Sequence, residues 1–361
     1  MVHGATTLAI PGTADAVTPG WLTEALAGAF PGIEVTGARV VDVLHGSAAK
    51  LRVAIEATGA EGAPTSVLVK ASFTEGLGED DLARAWLPLM AMVNETEVRF
   101  YREDAAILGD RVPRAHAAAA RGDASVLVLE DLNGRAGGVR FGRFDEPFSP
   151  DEMAGVLDVL ARLHAHRWAD RRLAEAPLRD TFLEGGMLDG FLSPVNWEQQ
   201  MARPRGARVP EELRDHALVT GAIRRAWAAK REGPQCLVHG DPHIGNVFFD
   251  RDGAGLLDWQ LACSGHWAAD VVYALVGAMD VEQRRASERD LLRHYLERIA
   301  AATGAAPSFE DAFRDYRRFS IWGFAAFLTP GEGVQDEEYN ATVGERHALA
   351  ALDHDALALL G

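Results

Sequence analysis

The chain is poor in lysine and in cysteine. Its 36 basic residues include only three lysines, Lys50, Lys70 and Lys230, so a lysine at a defined structural position is a candidate for a specific role. The two cysteines, Cys236 and Cys263, are too few for the disulfide framework on which small secreted domains depend. We therefore expect a protein of the reducing cytoplasm.

Further partners and locations are excluded by what the sequence lacks. The longest apolar stretch near the C-terminus, IWGFAAFL, is too short to cross a bilayer. The opening MVHGATTLAIPGTADAV has no basic region before an apolar core, so we read no secretory signal. A net charge of −17 disfavours nucleic acid and anionic membranes as partners. The 361 residues suffice for two lobes, and we expect a monomer or a weak homodimer.

One motif carries the chemistry. Residues 239–246 read HGDPHIGN, and the segment GLLDWQ follows with Asp258 twelve positions after Asn246. In phosphoryl transfer, one carboxylate orients the attacking hydroxyl, while an amide and a second carboxylate hold Mg²⁺ against nucleotide phosphates. Asp241, Asn246 and Asp258 have the spacing that this reaction requires.

Two other interpretations of the motif stay open at this point. Asp and Asn are common in polar turns between apolar runs, because their side chains satisfy turn backbone. His239, Asp241 and His243 alternate like strand ligands of a metallohydrolase, but zinc sites need three or four ligands with supporting partners. No matching second cluster is found in the sequence.

The residues after the motif favour the phosphoryl-transfer interpretation. Residues 246–249 predict a strand, residues 250–253 a turn, and residues 255–257 a returning strand that leads to Asp258. Such a hairpin brings Asn246 and Asp258 to the same end of the ribbon, where one cation can bridge them. Mg²⁺ suits this pair, because it takes few protein oxygens and keeps water and phosphate for its other positions.

The upstream half predicts a nucleotide-binding lobe. Residues 34–43 and 51–58 read as strands around the loop LHGSAAK, and a third strand, TSVLVKAS, carries Lys70. The pattern over residues 82–104 predicts a helix that presents Glu97 as a partner for the lysine. Glu95 is the competing candidate, because two positions along a helix turn a side chain to a different face.

A hinge for the adenine base is predicted at the end of a later strand. Strands are predicted at residues 115–121 and 125–132, and the second ends in the sequence EDL. Its backbone at Glu130 and Leu132 is suited to meet an adenine edge. A merely polar strand end is the alternative interpretation of Glu130.

Together, NETEVRFY, LVLEDL, HGDPHIGN and LLDWQ resemble the aminoglycoside phosphotransferase and choline kinase superfamily, most of all its ecdysteroid-kinase-like branch and related bacterial phosphotransferases. The resemblance implies an α+β, protein-kinase-like fold of two lobes. The N-terminal lobe, 1–132, would be an antiparallel sheet with a helix, and the C-terminal lobe, 133–361, would be mainly helical. The implied site residues are Lys70 on phosphate, Glu97 on that lysine, Glu130 and Leu132 at adenine, Asp241 as the base, and Asn246 and Asp258 on Mg²⁺.

The sequence departs from the protein-kinase pattern in three places. Gly240 stands where protein kinases have an arginine, so phosphate sensing through that arginine is not expected. Trp259 and Gln260 replace the Phe and Gly after the metal-binding aspartate, which argues against a flipping segment. The loop Gly46 to Ala49 has a single glycine, and we expect its backbone and Ser47 to cap the phosphates.

Several features of the C-terminal half are ambiguous. Asp270 resembles the aspartate that braces the catalytic loop, and a helix N-cap is an equally good interpretation. A helix is predicted from Ser149 to Trp168. Its histidines, His164 and His166, could be ligands, and we expect instead one packed histidine and one on the surface. Residues 133–147 read as a loop over the cleft, and further helices are predicted at 281–301 and 308–328.

The acceptor site is the part of the protein about which the sequence says least. The segment DAFRDYRRFSIWGFAAFLTP carries six rings, most of which we expect in the core. Rings that line the cleft would favour an acceptor with an apolar ring body, and Glu332, Asp336, Glu337 and Glu338 could attract amino groups. The sequence therefore predicts ATP- and Mg²⁺-dependent phosphorylation of a small-molecule hydroxyl, on a natural product, antibiotic or amino-sugar-like acceptor. The alternative from another class is a nucleotide-binding pseudokinase.

Overall fold

A computed structural model describes residues 8–44, 50–73, 81–175, 178–180, 186–331 and 335–361. The chain divides into two compact units. The first comprises Met1–Val139 and Leu257–Gln260, and the second comprises Arg140–Leu256 and Leu261–Gly361. The first unit holds an antiparallel sheet and the second is mainly helical, so the predicted α+β class is confirmed.

The first unit is built on a sheet whose described strands lie in the order β1-β2-β3-β5-β4. These strands are β1 (Glu34–Leu44), β2 (Lys50–Thr58), β3 (Ser66–Ala71), β4 (Ala115–Arg121) and β5 (Ala124–Glu130). The helices of this unit are α1 (Pro19–Leu26) and α2 (Asp81–Glu103). The register of β2 on β3 places Lys50 directly opposite Lys70.

The core of the first unit lies on one face of the sheet. In strand β2, buried apolar residues such as Val53 alternate with more exposed residues. Val67 and Val69 of β3 belong to the same core. Successive side chains of a strand point to opposite faces. Lys50 and Lys70 therefore lie on the face away from this core.

The second unit is mainly helical, with two small sheets in the orders β10-β7 and β6-β8-β9. Its strands are β6 (Arg140–Phe141), β7 (Cys236–Val238), β8 (Val247–Asp250), β9 (Gly253–Leu256) and β10 (Cys263–Gly265). Its helices are α3 (Pro150–His166), α4 (Arg171–Glu175), α5 (Met187–Phe191), α6 (Pro194–Met201), α7 (Pro204–Ala207), α8 (His216–Ala229), α9 (Trp267–Ala278), α10 (Val281–Thr303), α11 (Phe309–Leu328), α12 (Glu337–Asp353) and α13 (Ala356–Leu360).

Sequence signals at the start of α3 are confirmed. Ser149 accepts the N–H of Glu152, and the Glu152 carboxylate accepts the N–H of Ser149, so both members of a capping box are present. Within the described ranges, no helix combines the length and the apolar character needed to span a membrane. Cys236 and Cys263 are both buried, and neither forms a disulfide bond.

Two local predictions are wrong. Asn246 ends a 3₁₀ turn, Ile244–Asn246, and the strand begins only at Val247, because the Asn246 amide donates to the Asp241 carbonyl across the turn at 2.9 Å. Residues 133–147 are not a loop throughout, since β6 pairs with β8. The Arg346 guanidinium also donates to the Phe144 carbonyl at 2.9 Å, which tethers this segment to α12.

Candidate functional site

A charged cluster lies in the first unit on the face of the sheet opposite its core. The Lys70 ammonium lies 2.5 Å from Glu97 Oε2 and 3.1 Å from Asp258 Oδ1. Lys50 lies 3.0 Å from the other carboxylate oxygen, Oδ2, of Asp258. We call Lys50, Lys70, Glu97 and Asp258 the Asp258 cluster. It contains Glu97, the predicted partner of Lys70, whereas the competing candidate Glu95 is exposed on α2.

Electrostatics favour the charged forms of Lys70 and Asp258, whereas burial raises the pKa of Glu97 above its ordinary value against the opposing effect of Lys70. Burial of Lys70 opposes its charge, but Asp258 and Glu97 outweigh that effect and hold the pKa of Lys70 above its ordinary value. Burial alone would raise the pKa of Asp258, whereas Lys70 and Lys50 hold that pKa well below its usual value. At neutral pH the Asp258 carboxylate is therefore a negatively charged oxygen ligand.

The segment that carries Asp258 is anchored to α2. Trp259 stacks on Phe100 with a centroid distance of 3.8 Å and an interplanar angle of 7°. The backbone N–H of Trp259 donates to Glu97 Oε1 at 3.3 Å, and the Gln260 amide donates to Asn94 at 2.9 Å. These contacts agree with the expectation that a segment with Trp and Gln after the aspartate does not flip.

Asp258 has a backbone conformation that few side chains tolerate. Its φ is 61°, in the left-handed region, where Asp and Asn are the favoured residues after glycine. The conformation persists because both oxygens of the carboxylate and the following residues are held by neighbours. Strain held in this way is typical of functional positions.

The pairing of Lys70 with Glu97 gives a mutational test. In Glu97→Gln, the amide oxygen can still accept from Trp259, but the charge beside Lys70 is lost. Because a hydrogen bond to a charged group contributes about 1.5–3 kcal/mol, we expect the ATP Kd to rise about tenfold or more. Calorimetric titration measures it, with Glu95→Gln as the control that changes Kd by less than about twofold. Equal effects of the two variants would contradict the assignment.

The HGDPHIGN motif forms a compact loop in the second unit. The Asp241 N–H donates to His239 Nδ1 at 3.2 Å, and the Asn246 side chain donates to the Asp241 carbonyl at 2.9 Å. The Asn246 amide nitrogen is thus engaged, which leaves its carbonyl oxygen as the atom suited to a cation. Two predicted site residues, Asp241 and Asn246, therefore come together.

Asp270 braces this loop from α9. Its carboxylate accepts the N–H of His239 at 2.6 Å, the N–H of Gly240 at 3.0 Å, and His164 Nε2 at 3.2 Å. The bracing prediction is confirmed and the N-cap alternative is wrong, since the N-cap of α9 is His266. Burial opposes ionisation of Asp270, but His164 and His239 hold the pKa of its carboxyl below the ordinary value.

Two further observations explain the sequence around the brace. Gly240 has φ 85°, and a Cβ there would lie 2.2 Å from the Leu261 carbonyl, so the arginine found in protein kinases does not fit. His164 is fully buried, and its Nδ1 lies 2.7 Å from the Tyr295 hydroxyl. His166 is exposed, so both expectations for the two histidines of α3 are confirmed.

The brace predicts how stability depends on pH. The pKa of Asp270 is lower in the folded protein than its unfolded value near 4. The ionised carboxylate therefore stabilises the fold fully above that pH, and this stabilisation is lost as the pH falls through the folded-state pKa. In Asp270→Asn, the amide group turns an N–H donor toward the N–H groups of the loop. We expect the free energy of unfolding to fall by about 1–3 kcal/mol at neutral pH. Urea unfolding of both proteins should show this difference shrinking below about pH 4. A pH-independent difference would contradict this account.

A histidine of the HGDPHIGN loop, His243, contacts Tyr339 of α12. The Gly245 N–H donates to His243 Nδ1 at 3.0 Å, and the Tyr339 hydroxyl lies 2.7 Å from the same nitrogen. Because an N–H can only donate, Nδ1 is the acceptor, and the ring proton sits on Nε2. His243 Nε2 lies 3.7 Å from Asp241 Oδ2, so this tautomer directs an N–H toward the Asp241 carboxylate. The pKa of Tyr273 is well above its usual range, mainly because the hydroxyl is buried and next because the charge of Asp241 opposes its ionisation.

The predicted hinge residues lie at the end of β5. The Glu130 N–H donates to the Arg114 carbonyl at 2.8 Å, and the Leu132 carbonyl accepts from Arg135 at 3.1 Å. The Glu130 side chain pairs with Arg135 at 2.8 Å, so the carboxylate serves local structure. The contacts of the Glu130 carbonyl and the Leu132 N–H with an adenine edge stay a prediction. Ser47 lies outside the described residues.

The donor set fits Mg²⁺ and not zinc. Asp258 offers carboxylate oxygen and Asn246 offers amide oxygen, which are the ligands that Mg²⁺ prefers. These two residues belong to different units, so their joint role as ligands stays a prediction. Across the described ranges, no group of three or more His, Cys, Asp or Glu side chains is arranged to hold a metal ion.

The acceptor predictions need correction. Most rings of α11 are core residues, as expected: Tyr316, Phe319, Trp322, Phe324 and Phe327 are buried. The expected acidic attraction is not available from Glu337 and Glu338, because Arg205 lies 2.5 Å from Glu337 and Arg208 lies 2.7 Å from Glu338. Asp336 caps α12 by accepting the Tyr339 N–H, and Glu332 lies outside the described residues.

Sequence reasoning missed two groups at the site. Lys50 was recognised only as one of three lysines, although its register opposite Lys70 was a usable signal once β2 and β3 were predicted. The contact of Tyr339 with His243 joins residues 96 positions apart, and no local pattern announces it.

Comparisons with known proteins fit this geometry. Residues 93–320 match the family model of the phosphotransferase enzyme family, APH. Choline kinase from Cryptosporidium parvum Iowa II is 11% identical with a TM-score of 0.52, covering 94% of this chain and 92% of that chain. Choline kinase LicA from Streptococcus pneumoniae is 12% identical with a TM-score of 0.46, covering 92% of this chain and 98% of that chain. A comparison with curated proteins finds no match.

The likeness to the Cryptosporidium parvum enzyme shows a shared fold, and the family match covers more than half of the chain. The matched residues include Glu97, the HGDPHIGN motif, Asp258 and Asp270. The resemblance to the aminoglycoside phosphotransferase and choline kinase superfamily is thereby confirmed, and the narrower assignment to its ecdysteroid-kinase-like branch stays a prediction. The chain belongs to the phosphotransferase enzyme family.

Proposed function

We propose that this phosphotransferase is an ATP- and Mg²⁺-dependent kinase that moves the γ-phosphoryl group to a hydroxyl of a small molecule. The observation that carries the proposal is the Asp258 cluster, in which the buried ammonium group of Lys70 lies between the carboxyl groups of Glu97 and Asp258. This is the arrangement that phosphoryl transfer uses to hold a lysine toward nucleotide phosphates. The intact HGDPHIGN loop supplies the second half of the machinery.

The nucleotide-binding roles fall to the first unit. Lys70, fixed by Glu97, would bind the α and β phosphates. The Glu130 carbonyl and the Leu132 N–H would accept from and donate to the adenine edge. Asp258, with Asn246 of the second unit, would hold Mg²⁺. When bound, Mg²⁺ would neutralise charge on the β and γ phosphates.

The transfer step is assigned to Asp241. Its carboxylate accepts the proton of the acceptor hydroxyl as the acceptor oxygen forms a bond to the γ phosphorus. The bond from that phosphorus to the bridging β-phosphate oxygen breaks, and ADP leaves. The N–H of His243 Nε2, directed toward Asp241, would keep the carboxylate oriented before transfer.

For the acceptor, we keep a hydroxylated compound with an apolar ring body, such as a natural product, an antibiotic or an amino-sugar-like molecule. Its support is the half-buried ring of Tyr339, whose hydroxyl lies 2.7 Å from His243 Nδ1 of the HGDPHIGN loop. Phe327, whose ring centroid lies 5.7 Å from that of Tyr339, is buried in the core and does not contribute a surface for the acceptor. Because Glu337 and Glu338 are paired with arginines, their charge gives no preference for an amino sugar over a neutral alcohol.

The test is ADP release with a broad panel of alcohols, coupled to mass spectrometry for one added phosphate. The panel contains choline, ethanolamine, simple hexoses, amino sugars and polycyclic alcohols. Efficient phosphorylation of at least one member supports the kinase. Nucleotide binding with no phosphorylation of any member would instead favour the pseudokinase. Efficient turnover of choline, ethanolamine or hexoses alone would overturn the proposed acceptor class.

A further inference from the structure

Lys50 occupies a position that the proposed roles leave unexplained. Two of the three lysines in the chain meet at one carboxylate, with Lys70 on Asp258 Oδ1 at 3.1 Å and Lys50 on Oδ2 at 3.0 Å. The third, Lys230, pairs with Asp180 in the second unit at 3.0 Å. Since most of the basic residues of this chain are arginines, two converging lysines call for a specific cause.

Stability does not account for Lys50. The Lys50 side chain is 22% exposed to solvent, whereas that of Lys70 is 4% exposed. A partly exposed ion pair contributes only about 0–1 kcal/mol to the stability of the fold. The segment that carries Asp258 is already anchored by the stacking of Trp259 on Phe100. A lysine is therefore not needed there as a clamp, and its ammonium group stays accessible to a ligand.

The charge balance of the Asp258 cluster points to an anionic ligand. Two lysines and two carboxylates give a formal charge of zero, whereas the cluster without Lys50 would carry one negative charge. A negative cluster repels a triphosphate and attracts a divalent cation. Lys50 therefore shifts the preference of the cluster toward the phosphate and away from the metal.

We propose that Lys50 is a second phosphate-binding cation, which binds the nucleotide beside Lys70 and competes with the metal ion for Asp258 Oδ2. The proposal rests on the kinase function proposed above. Lys50 is a compact point charge on a flexible stem, which suits a group that moves between a carboxylate and a phosphate. Because it weakens metal binding while strengthening nucleotide binding, the two affinities should respond to its removal in opposite directions.

The experiment measures binding and not activity. ATP is titrated by calorimetry in the presence of EDTA, and Mn²⁺ alone is titrated by electron paramagnetic resonance, both on the full chain. For Lys50→Met we expect ATP affinity to fall about tenfold and Mn²⁺ affinity to rise. Lys50→Arg should keep ATP affinity within about threefold of the wild type. Arg39→Met, which removes an exposed cation from β1, is the matched control with no change in either affinity.

Each outcome decides the question. Unchanged ATP affinity in Lys50→Met overturns the proposal and leaves the kinase function standing. A loss of Mn²⁺ affinity in parallel with the loss of ATP affinity also overturns it, because it would show that Lys50 only holds Asp258 in place. Failure of the wild type to bind ATP with or without Mg²⁺ overturns the kinase function itself, and this inference with it. If Lys50→Met unfolds early in thermal melting, Lys50→Gln repeats the same two titrations.

Discussion

Replacing Asp241 with asparagine is expected to lower kcat by about 10² or more while leaving ATP affinity within about twofold. The substitution keeps the shape of the loop, because the Asp241 backbone makes the contacts with His239 and Asn246. It removes only the carboxylate that we propose accepts the proton of the acceptor hydroxyl. The kcat is measured by coupled ADP release with an acceptor found in the alcohol panel, and the ATP Kd is measured by calorimetry.

The matched control for Asp241→Asn is Asp252→Asn. Asp252 lies in the exposed turn between β8 and β9, a few residues from the motif, and its loss removes the same charge. We expect no change in kcat or Kd from this control. Near-normal turnover of Asp241→Asn would remove Asp241 from the mechanism. Loss of ATP affinity in Asp241→Asn would show instead that the loop had rearranged.

The pair of Lys70 and Glu97 was within reach of the sequence. A strand pattern placed Lys70, and helix periodicity separated Glu97 from Glu95 by the face on which buried Phe100 and Tyr101 lie. In that case, local geometry restricts the partners to two candidates. The structure then distinguishes them by one ion pair of 2.5 Å.

Other parts of the site were beyond the sequence, because their partners are distant along the chain. Lys50 and Asp258 are separated by 208 positions, and neither local pattern implies the contact. From the sequence, Asp270 could equally support the HGDPHIGN loop or cap a helix, because aspartate is suited to both roles. Only the fold brings the N–H of His239 to its carboxylate. The pairing of Glu337 with Arg205, 132 positions away, was missed for the same reason.

The second large effect is expected at Asp258, the proposed metal ligand, where the choice of variant depends on the backbone conformation. Alanine at position 258 would be strained at φ 61°, whereas asparagine tolerates this region and preserves the side-chain shape. Asp258→Asn is therefore the informative substitution. It exchanges a charged oxygen ligand for a neutral amide and leaves Lys50 and Lys70 without an opposing carboxylate at that point.

In Asp258→Asn we expect Mg²⁺-dependent ATP affinity to fall by about tenfold or more, since even outer partners of metal ligands cost 10–100-fold when lost. ATP affinity in EDTA should hold or increase, because removal of one negative charge leaves the two lysines to act on the triphosphate. Calorimetric titrations with and without Mg²⁺ measure both values. Asp42→Asn, which removes an exposed carboxylate of β1, is the control. An unchanged Mg²⁺ dependence in Asp258→Asn would exclude Asp258 as a metal ligand, and a parallel loss in EDTA would show that it acts by holding the lysines.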